Sequence, residues 1–307
     1  MLNKLEVSVV IPTHDRIEPL KLAIESVINQ IYKAKEIIVV DDIGNIDVEN
    51  LVNSYKNQGT KYVKNDGNKG AAGSRNIGVA HAKSELVAFL DDDDTWFLDK
   101  LEKQVACFED KSVGLVYSPM LLVFPDLNLE YKTFPYTNTI ALSDILIENK
   151  IGGTISVIVR REWFLSIDGF DERYRAREEY DLWIRLILSN KYKTKFCDVL
   201  SCRVINVITS ENRISCNIDN YIHAIELLNT KYESEVNEYL NDKNRNMRAS
   251  MQANFLASQA MKVGDKWSGT KYFMQAFKIK PSVGSFAKVL ASLLGWKYMI
   301  LLRSKLK

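Results

Sequence analysis

Cysteine and histidine are both scarce. The 307-residue chain has four cysteines, Cys107, Cys197, Cys202 and Cys216, and three histidines, His14, His81 and His223. No two cysteines have CxxC spacing, and a chain of this length needs no disulfide staples, so free cytoplasmic thiols are expected. His14 falls in a strand-end loop, where solvation is expected; His81 and His223 fall on predicted helices and receive no catalytic role. No run reaches about 20 uninterrupted apolar residues, so no spanning helix is predicted. The opening MLNKLEVSVVIP does not read as a signal peptide, because its short apolar run alternates with polar residues and breaks at Pro12. Aromatic and basic residues are not interleaved as in nucleic-acid-binding surfaces, so no nucleic-acid partner is expected.

What is present is an ordinary globular composition, 46% apolar and 26% charged. The length suggests one large domain with a smaller one. The net charge of +2 hides an asymmetry. Residues 261–307 hold ten Lys or Arg against one acid, Asp265, a net +9 that leaves −7 on residues 1–260. A basic tail on an acidic body points to a membrane surface or another polyanion.

The first half alternates short β-branched runs with helical patterns. Strands are predicted at residues 7–11 (VSVVI), 36–40 (EIIVV), 61–63, 86–90 and 113–117, with helices at 18–30, 46–57 (capped by Asn45), 70–82 and 99–110. This rhythm predicts an α/β fold with a mostly parallel sheet covered on both faces. Residues 121–139 read as a loop or edge-strand region, Ser143 as the cap of a short helix, 155–159 as a strand and 178–188 as an amphipathic helix. From about residue 217 the pattern is helical, and 264–281 resembles one hairpin of a tetratricopeptide-like pair. The expected division is an α/β domain over 1–216, with halves meeting at about 117, and a helical region over 217–307.

In such sheets ligands sit at the carboxyl ends of the strands. Three strand ends here carry polar residues: Pro12-Thr13-His14-Asp15-Arg16, Asp41-Asp42, and the run Asp91-Asp92-Asp93-Asp94. Carboxylates crowded at a sheet mouth repel one another unless a cation or donor lies between them. A divalent ion bound to phosphates meets that need, since Mg²⁺ typically takes one or two protein carboxylates plus substrate oxygens. The segment 68–76 (NKGAAGSRN) opens a helix, and its small residues suit either an approaching anion or close helix packing. Arg75 is placed to pair with a strand-end acid or with phosphate. Acids also crowd the start of the helix at 178, where either the helix dipole or a catalytic base accounts for them.

The pieces VSVVIPTHDR, EIIVVDD, GAAGSRNIG, FLDDDDTW with DKLEKQ, and GFDERYRAREEYDLWIRL occur in order over roughly residues 5–205. Together they resemble the inverting glycosyltransferases of family 2. The resemblance implies a GT-A fold, Rossmann-like, with a C-terminal helical region added. It implies a UDP-sugar donor site built from Pro12, Thr13, Asp15, Asp41, Asp42, Arg75, Asp91, Asp92, Asp93 and Asp94. Asp91 and Asp93 match the family's DxD pair, which would bind the diphosphate and Mn²⁺ or Mg²⁺, and Asp94 would orient the sugar. Glu179 stands where the family has the Asp of a Glu-Asp pair, the catalytic base; the choice between Glu178 and Glu179 stays open. Many members carry a His near the position of Asn206, and this chain does not.

The implied reaction is a single displacement at the anomeric carbon. The resemblance to bacterial surface-polysaccharide and O-antigen (lipopolysaccharide) transferases implies an undecaprenyl-diphosphate-linked saccharide acceptor. Residues 285–302 read as a basic amphipathic helix, which either packs on the domain as an ordinary terminal helix or lies in a membrane interface; with a lipid-linked acceptor, a cytoplasmic protein held peripherally at the inner membrane is expected. A nucleotidyltransferase would carry a Gly-rich, basic signature after the first strand, where this chain has PTHDR; a non-catalytic sugar-nucleotide binder is argued against by the intact carboxylate set. The identities of the two sugars are not written in the sequence.

Overall fold

The computed structural model describes residues 5–65, 67, 69–133, 136–137, 139–205 and 217–305. Asn68, Pro135, Asn206 and Cys216, to which expectations attach, lie outside them. The elements are β1 (Val7–Thr13), α1 (Ile17–Ile28), β2 (Glu36–Asp41), α2 (Ile46–Ser54), β3 (Thr60–Lys64), α3 (Gly70–His81), β4 (Leu86–Phe89), β5 (Thr95–Trp96), α4 (Lys100–Ala106), β6 (Val113–Tyr117), β7 (Leu121–Phe124), β8 (Leu129–Lys132), α5 (Leu142–Ile147), β9 (Val157–Arg160), α6 (Arg161–Leu165), α7 (Glu178–Leu188), β10 (Lys193–Phe196) and β11 (Cys202–Ile205). Six helices follow: α8 (Ile218–Lys231), α9 (Glu233–Tyr239), α10 (Asp242–Lys262), α11 (Lys266–Ile279), α12 (Val283–Leu294) and α13 (Trp296–Lys305).

A seven-stranded sheet runs in the order β10-β6-β9-β4-β1-β2-β3. Strands β3, β2, β1 and β4 pair in parallel, as do β6 and β10, and β9 is antiparallel to both of its neighbours, β4 and β6. The expected mostly parallel α/β sheet is therefore present. Continuous apolar strands serve burial on both faces. In β1, Val7, Val9 and Ile11 pack with Leu20, Ile24 and Val27 of α1 and Val48 and Val52 of α2. Val10 points the other way, into a core with Val79 of α3 and Leu182, Trp183 and Leu186 of α7. Gly78 lets α3 lie close on the sheet, because a Cβ there would drive into Val10. Asn45 caps α2 as predicted, its side chain accepting from the Asp47 amide at 2.8 Å.

Four short strands form a second sheet, β5-β11-β7-β8. Residues 91–94 are thus strung between β4 of the large sheet and β5 of the small one. The region expected to be loop or edge strand is the β7–β8 hairpin. Two local expectations are corrected. The cap of α5 is Ala141 rather than Ser143, and Asp144 closes the turn by accepting from the Ala141 amide at 3.1 Å. The tail is not one amphipathic helix. Gly295, at φ 107°, ends α12, and α13 turns Met299 and Ile300 into the protein, where Met299 joins Ala257, Met261, Phe273 and Val289.

The helical region is continuous with the α/β core at its start. Ala224, Leu228, Tyr232 and Leu240 belong to the same apolar cluster as the α7 face of the large sheet. Lys231 and Tyr232 both bond the buried Asp181 of α7 at 2.7 Å.

Candidate active site

Each acid of the run after β4 meets different surroundings. Asp92 turns inward, 1% exposed, and accepts from the Thr13 hydroxyl at 2.7 Å and from Arg16 at 2.9 Å. Burial pushes its carboxyl up to about 6, against the pull of Arg16 and Thr13. Asp93 takes the other arm of Arg16 at 2.9 Å. Asp91 is bonded by Arg75 at 2.6 Å, and Asp94 is buried beneath the turn, its amide donating to the Asp91 carbonyl at 3.2 Å. Two guanidinium groups therefore offset the carboxylate repulsion. Arg16 had no role assigned from sequence; the signal was an arginine three residues beyond a strand end that faces an acidic run.

Arg75 ties distant segments together. It is buried on α3 and donates to Asp91 at 2.6 Å and to Glu178 at 2.8 Å. Burial works against its charge, but the two acids hold it firmly protonated. The sheet mouth and the start of α7 thereby share one site.

Glu179, the next residue, is not bound by Arg75. Its Oε1 accepts from Asn149 Nδ2 at 3.3 Å. Burial, with the neighbouring Glu178 charge, pushes its carboxyl up to about 7, while Arg177 and Arg75 pull the other way. A carboxylate poised near neutrality is the protonation behaviour wanted of a general base. Arg177, two residues before it, has φ 59°, and its guanidinium lies over the rings of Tyr180 (4.7 Å to the centroid) and Phe255 of α10 (4.0 Å). Beside this point lies a cleft of about 450 Å³ lined by Ser118, Met120, Tyr136, Asn149 and Lys150 among others.

The remaining predicted residues are placed less directly. Asp42 is 6% exposed, and it accepts from Asn65 Nδ2 at 2.6 Å, the Gly70 amide at 3.1 Å and Ser74 Oγ at 3.3 Å. A protein carboxylate therefore already takes the amide at the start of α3, the place where sequence suggested an incoming anion. Asp41 is fully buried, accepting from the amides of Ile43 and Asn45 at 3.1 and 2.6 Å and from Tyr62 at 3.0 Å. It braces the β2–α2 turn through these contacts. Pro12 is buried within β1 opposite Val40. Asp15 is exposed and accepts from the Asn45 side chain. His14 is largely exposed, 3.7 Å from Asp42.

Among the described residues no group of three or more His, Cys, Asp or Glu side chains is arranged to hold a metal. Asp91 and Asp93 keep 36% and 24% of their side-chain surface exposed. One or two accessible carboxylates suit a Mg²⁺ or Mn²⁺ ion whose other ligands come from a diphosphate.

Comparison with known proteins follows the same lines. The family model described as Glycosyl transferase family 2 matches residues 8–197. An uncharacterized glycosyltransferase of Haemophilus influenzae is 26% identical over 299 residues, covering 96% of this chain and 98% of that one. The Escherichia coli UDP-Glc:alpha-D-GlcNAc-diphosphoundecaprenol beta-1,3-glucosyltransferase WfgD is 26% identical over 191 residues, 62% of this chain and 73% of that one. Among solved structures, S. aureus TarS 1-349 in complex with UDP-GlcNAc superposes with a TM-score of 0.62 at 18% identity, over 94% of this chain and 80% of that one.

Proposed function

Because this chain belongs to glycosyltransferase family 2, we propose that it moves a sugar from a UDP-sugar to a hydroxyl of a lipid-linked saccharide during surface-polysaccharide synthesis, with inversion. The carrying observation is the Arg75 bridge, which joins Asp91 at the sheet mouth to Glu178, the neighbour of Glu179; this supports the reading that Glu179 serves the same site. The names of relatives support the substrates: one solved neighbour holds UDP-GlcNAc, and one E. coli relative is named for UDP-Glc and a diphosphoundecaprenol-linked GlcNAc.

In this reading Glu179 accepts the proton of the acceptor hydroxyl as that oxygen attacks the anomeric carbon. The bond from that carbon to the diphosphate oxygen breaks, and the pair leaves on the nucleotide. One displacement on an α-configured donor gives a β product, the linkage in the WfgD name. Asp91 and Asp93 would hold the divalent ion, which when bound supplies positive charge to the leaving diphosphate. Asn149 orients Glu179, and Arg75 keeps Asp91 and Glu178 from repelling each other.

Screening UDP-sugars for thermal stabilisation with Mn²⁺, followed by transfer to a synthetic lipid-diphosphate saccharide and NMR of the new linkage, tests this. One stabilising UDP-sugar giving a β-linked product is expected. A product retaining the donor's configuration, or no response to any UDP-sugar, would overturn it.

A further inference from the structure

Helix α12 is built inside out. Its inward side carries Val289 and Ser292, and Ser292 shares a 3.0 Å hydroxyl contact with Thr270 of α11. Its outward side carries Val283 (88% exposed), Phe286, Leu290 (50%), Leu293 and Leu294 (64%). Steps of three, four, three and one residues put these side chains on one helix face. A terminal helix packed for stability alone would bury this set and expose the hydroxyls.

The surroundings indicate what covers the stripe. From Lys266 to the end the sequence has nine Lys or Arg and no Asp or Glu. Lys280 precedes the helix and Lys297 follows it, both exposed, and Lys271 and Lys278 are exposed on the adjoining α11. Phe277 of α11 packs on Phe286 at 5.8 Å between ring centroids, which knits the two helices into one face. Among the described residues no helix is long and apolar enough to cross a membrane. An apolar stripe one helix wide, on a segment whose charged residues from Lys266 onward are all cations, fits the interface of an anionic bilayer, where side chains enter the acyl boundary and lysines meet headgroup charge.

We propose that the α12 stripe is a docking surface for an anionic lipid bilayer, with Phe286, Leu290 and Leu294 inserted. The stripe lies on α12, while Met299 and Ile300 of the following helix are buried in the protein. The proposal stands apart from the identity of the donor, because none of its residues belongs to the carboxylate site.

The full chain is sedimented with vesicles of phosphatidylglycerol and phosphatidylcholine, and with phosphatidylcholine alone. Binding to the anionic vesicles that weakens with added salt is expected, with little binding to the neutral ones. Combining Phe286→Ser, Leu290→Ser and Leu294→Ser should lower anionic-vesicle binding by at least about tenfold, given the apolar surface removed, with circular dichroism and UDP-sugar stabilisation unchanged. Equal binding by the native chain and the triple variant overturns the proposal, as does failure of the native chain to bind. A native chain that is dimeric without vesicles and becomes monomeric in the triple variant also overturns it, by giving the stripe to a second copy. Should the triple variant fold poorly, Lys280→Glu with Lys297→Glu provides a second readout, with loss confined to anionic vesicles expected and unchanged binding refuting.

Discussion

Replacing Glu179 by Gln separates catalysis from stability at one atom. The substitution keeps shape and the ability to accept from Asn149 Nδ2, but it removes the proton acceptor. A positioned general base contributes typically about 10²–10⁴ in rate, so kcat should fall by that factor while UDP-sugar affinity holds. With the native carboxyl near 7, kcat/KM should fall about tenfold per pH unit below neutrality. Stability should move the other way. The folded value lies above the ordinary 4.5, so the carboxyl's contribution is intact below 4.5 and is lost as pH rises through about 7. At 1.36 kcal/mol per unit the cost above neutrality is at most about 3 kcal/mol, less the share owed to Glu178 repulsion. Guanidinium melts at pH 4 and pH 8 should show the variant equal to native at pH 4 and more stable at pH 8. A variant that retains more than about a tenth of native activity, with an unchanged acidic limb, refutes the assignment of the base.

Four further outcomes follow from the same geometry. Arg75→Met strips the shared cation from Asp91 and Glu178 and should cost about 3–5 kcal/mol in denaturant unfolding, with transfer lost. Asp93→Ala should abolish transfer and Mn²⁺-dependent UDP-sugar stabilisation together while sparing the melting temperature; full activity, with or without metal, would remove Asp93 from metal binding. Asp41→Ala should lower stability by about 1–3 kcal/mol through orphaned turn amides, with little change in the Michaelis constant for the donor. Lys100, fully buried against Trp96 and Gln104, is pushed down to about 7 by burial, so the unfolded chain binds more protons between about 7 and the ordinary 10.5 and native stability rises across that range. Lys100→Met should therefore be stabilising at pH 7 and lose that advantage by pH 10 in urea melts.

The large sheet was legible because its strands are β-branched runs buried on both faces, and α7 because Leu182, Trp183 and Leu186 repeat at helical spacing. The strand-end acids were legible for the same reason: the topology places them. Their individual duties were not. Asp41 and Asp42 are adjacent and chemically identical, yet one braces a turn and the other takes the start of α3, a distinction set by Tyr62, Asn65 and Ser74 from other segments. The second sheet escaped notice because its strands are two to four residues long and gain their partners only through tertiary contact. The tail was misread as one helix because the apolar pattern continues across Gly295, and only the backbone turn at φ 107° sends its two parts to opposite fates.

The guanidinium of Arg177, held over Tyr180 and a phenyl ring supplied by α10, bears on how such enzymes can be recombined. Arg177 is the left-handed joint from which the base-bearing helix starts, and half of its aromatic clamp comes from the helical region. A chimera that grafts another protein's helices after residue 217 would inherit the sheet, the acids and Glu179, yet leave that joint clasped on one side. Domain exchange in this architecture therefore has to keep an aromatic side chain at the Phe255 position as well as the Lys231 and Tyr232 bonds to Asp181.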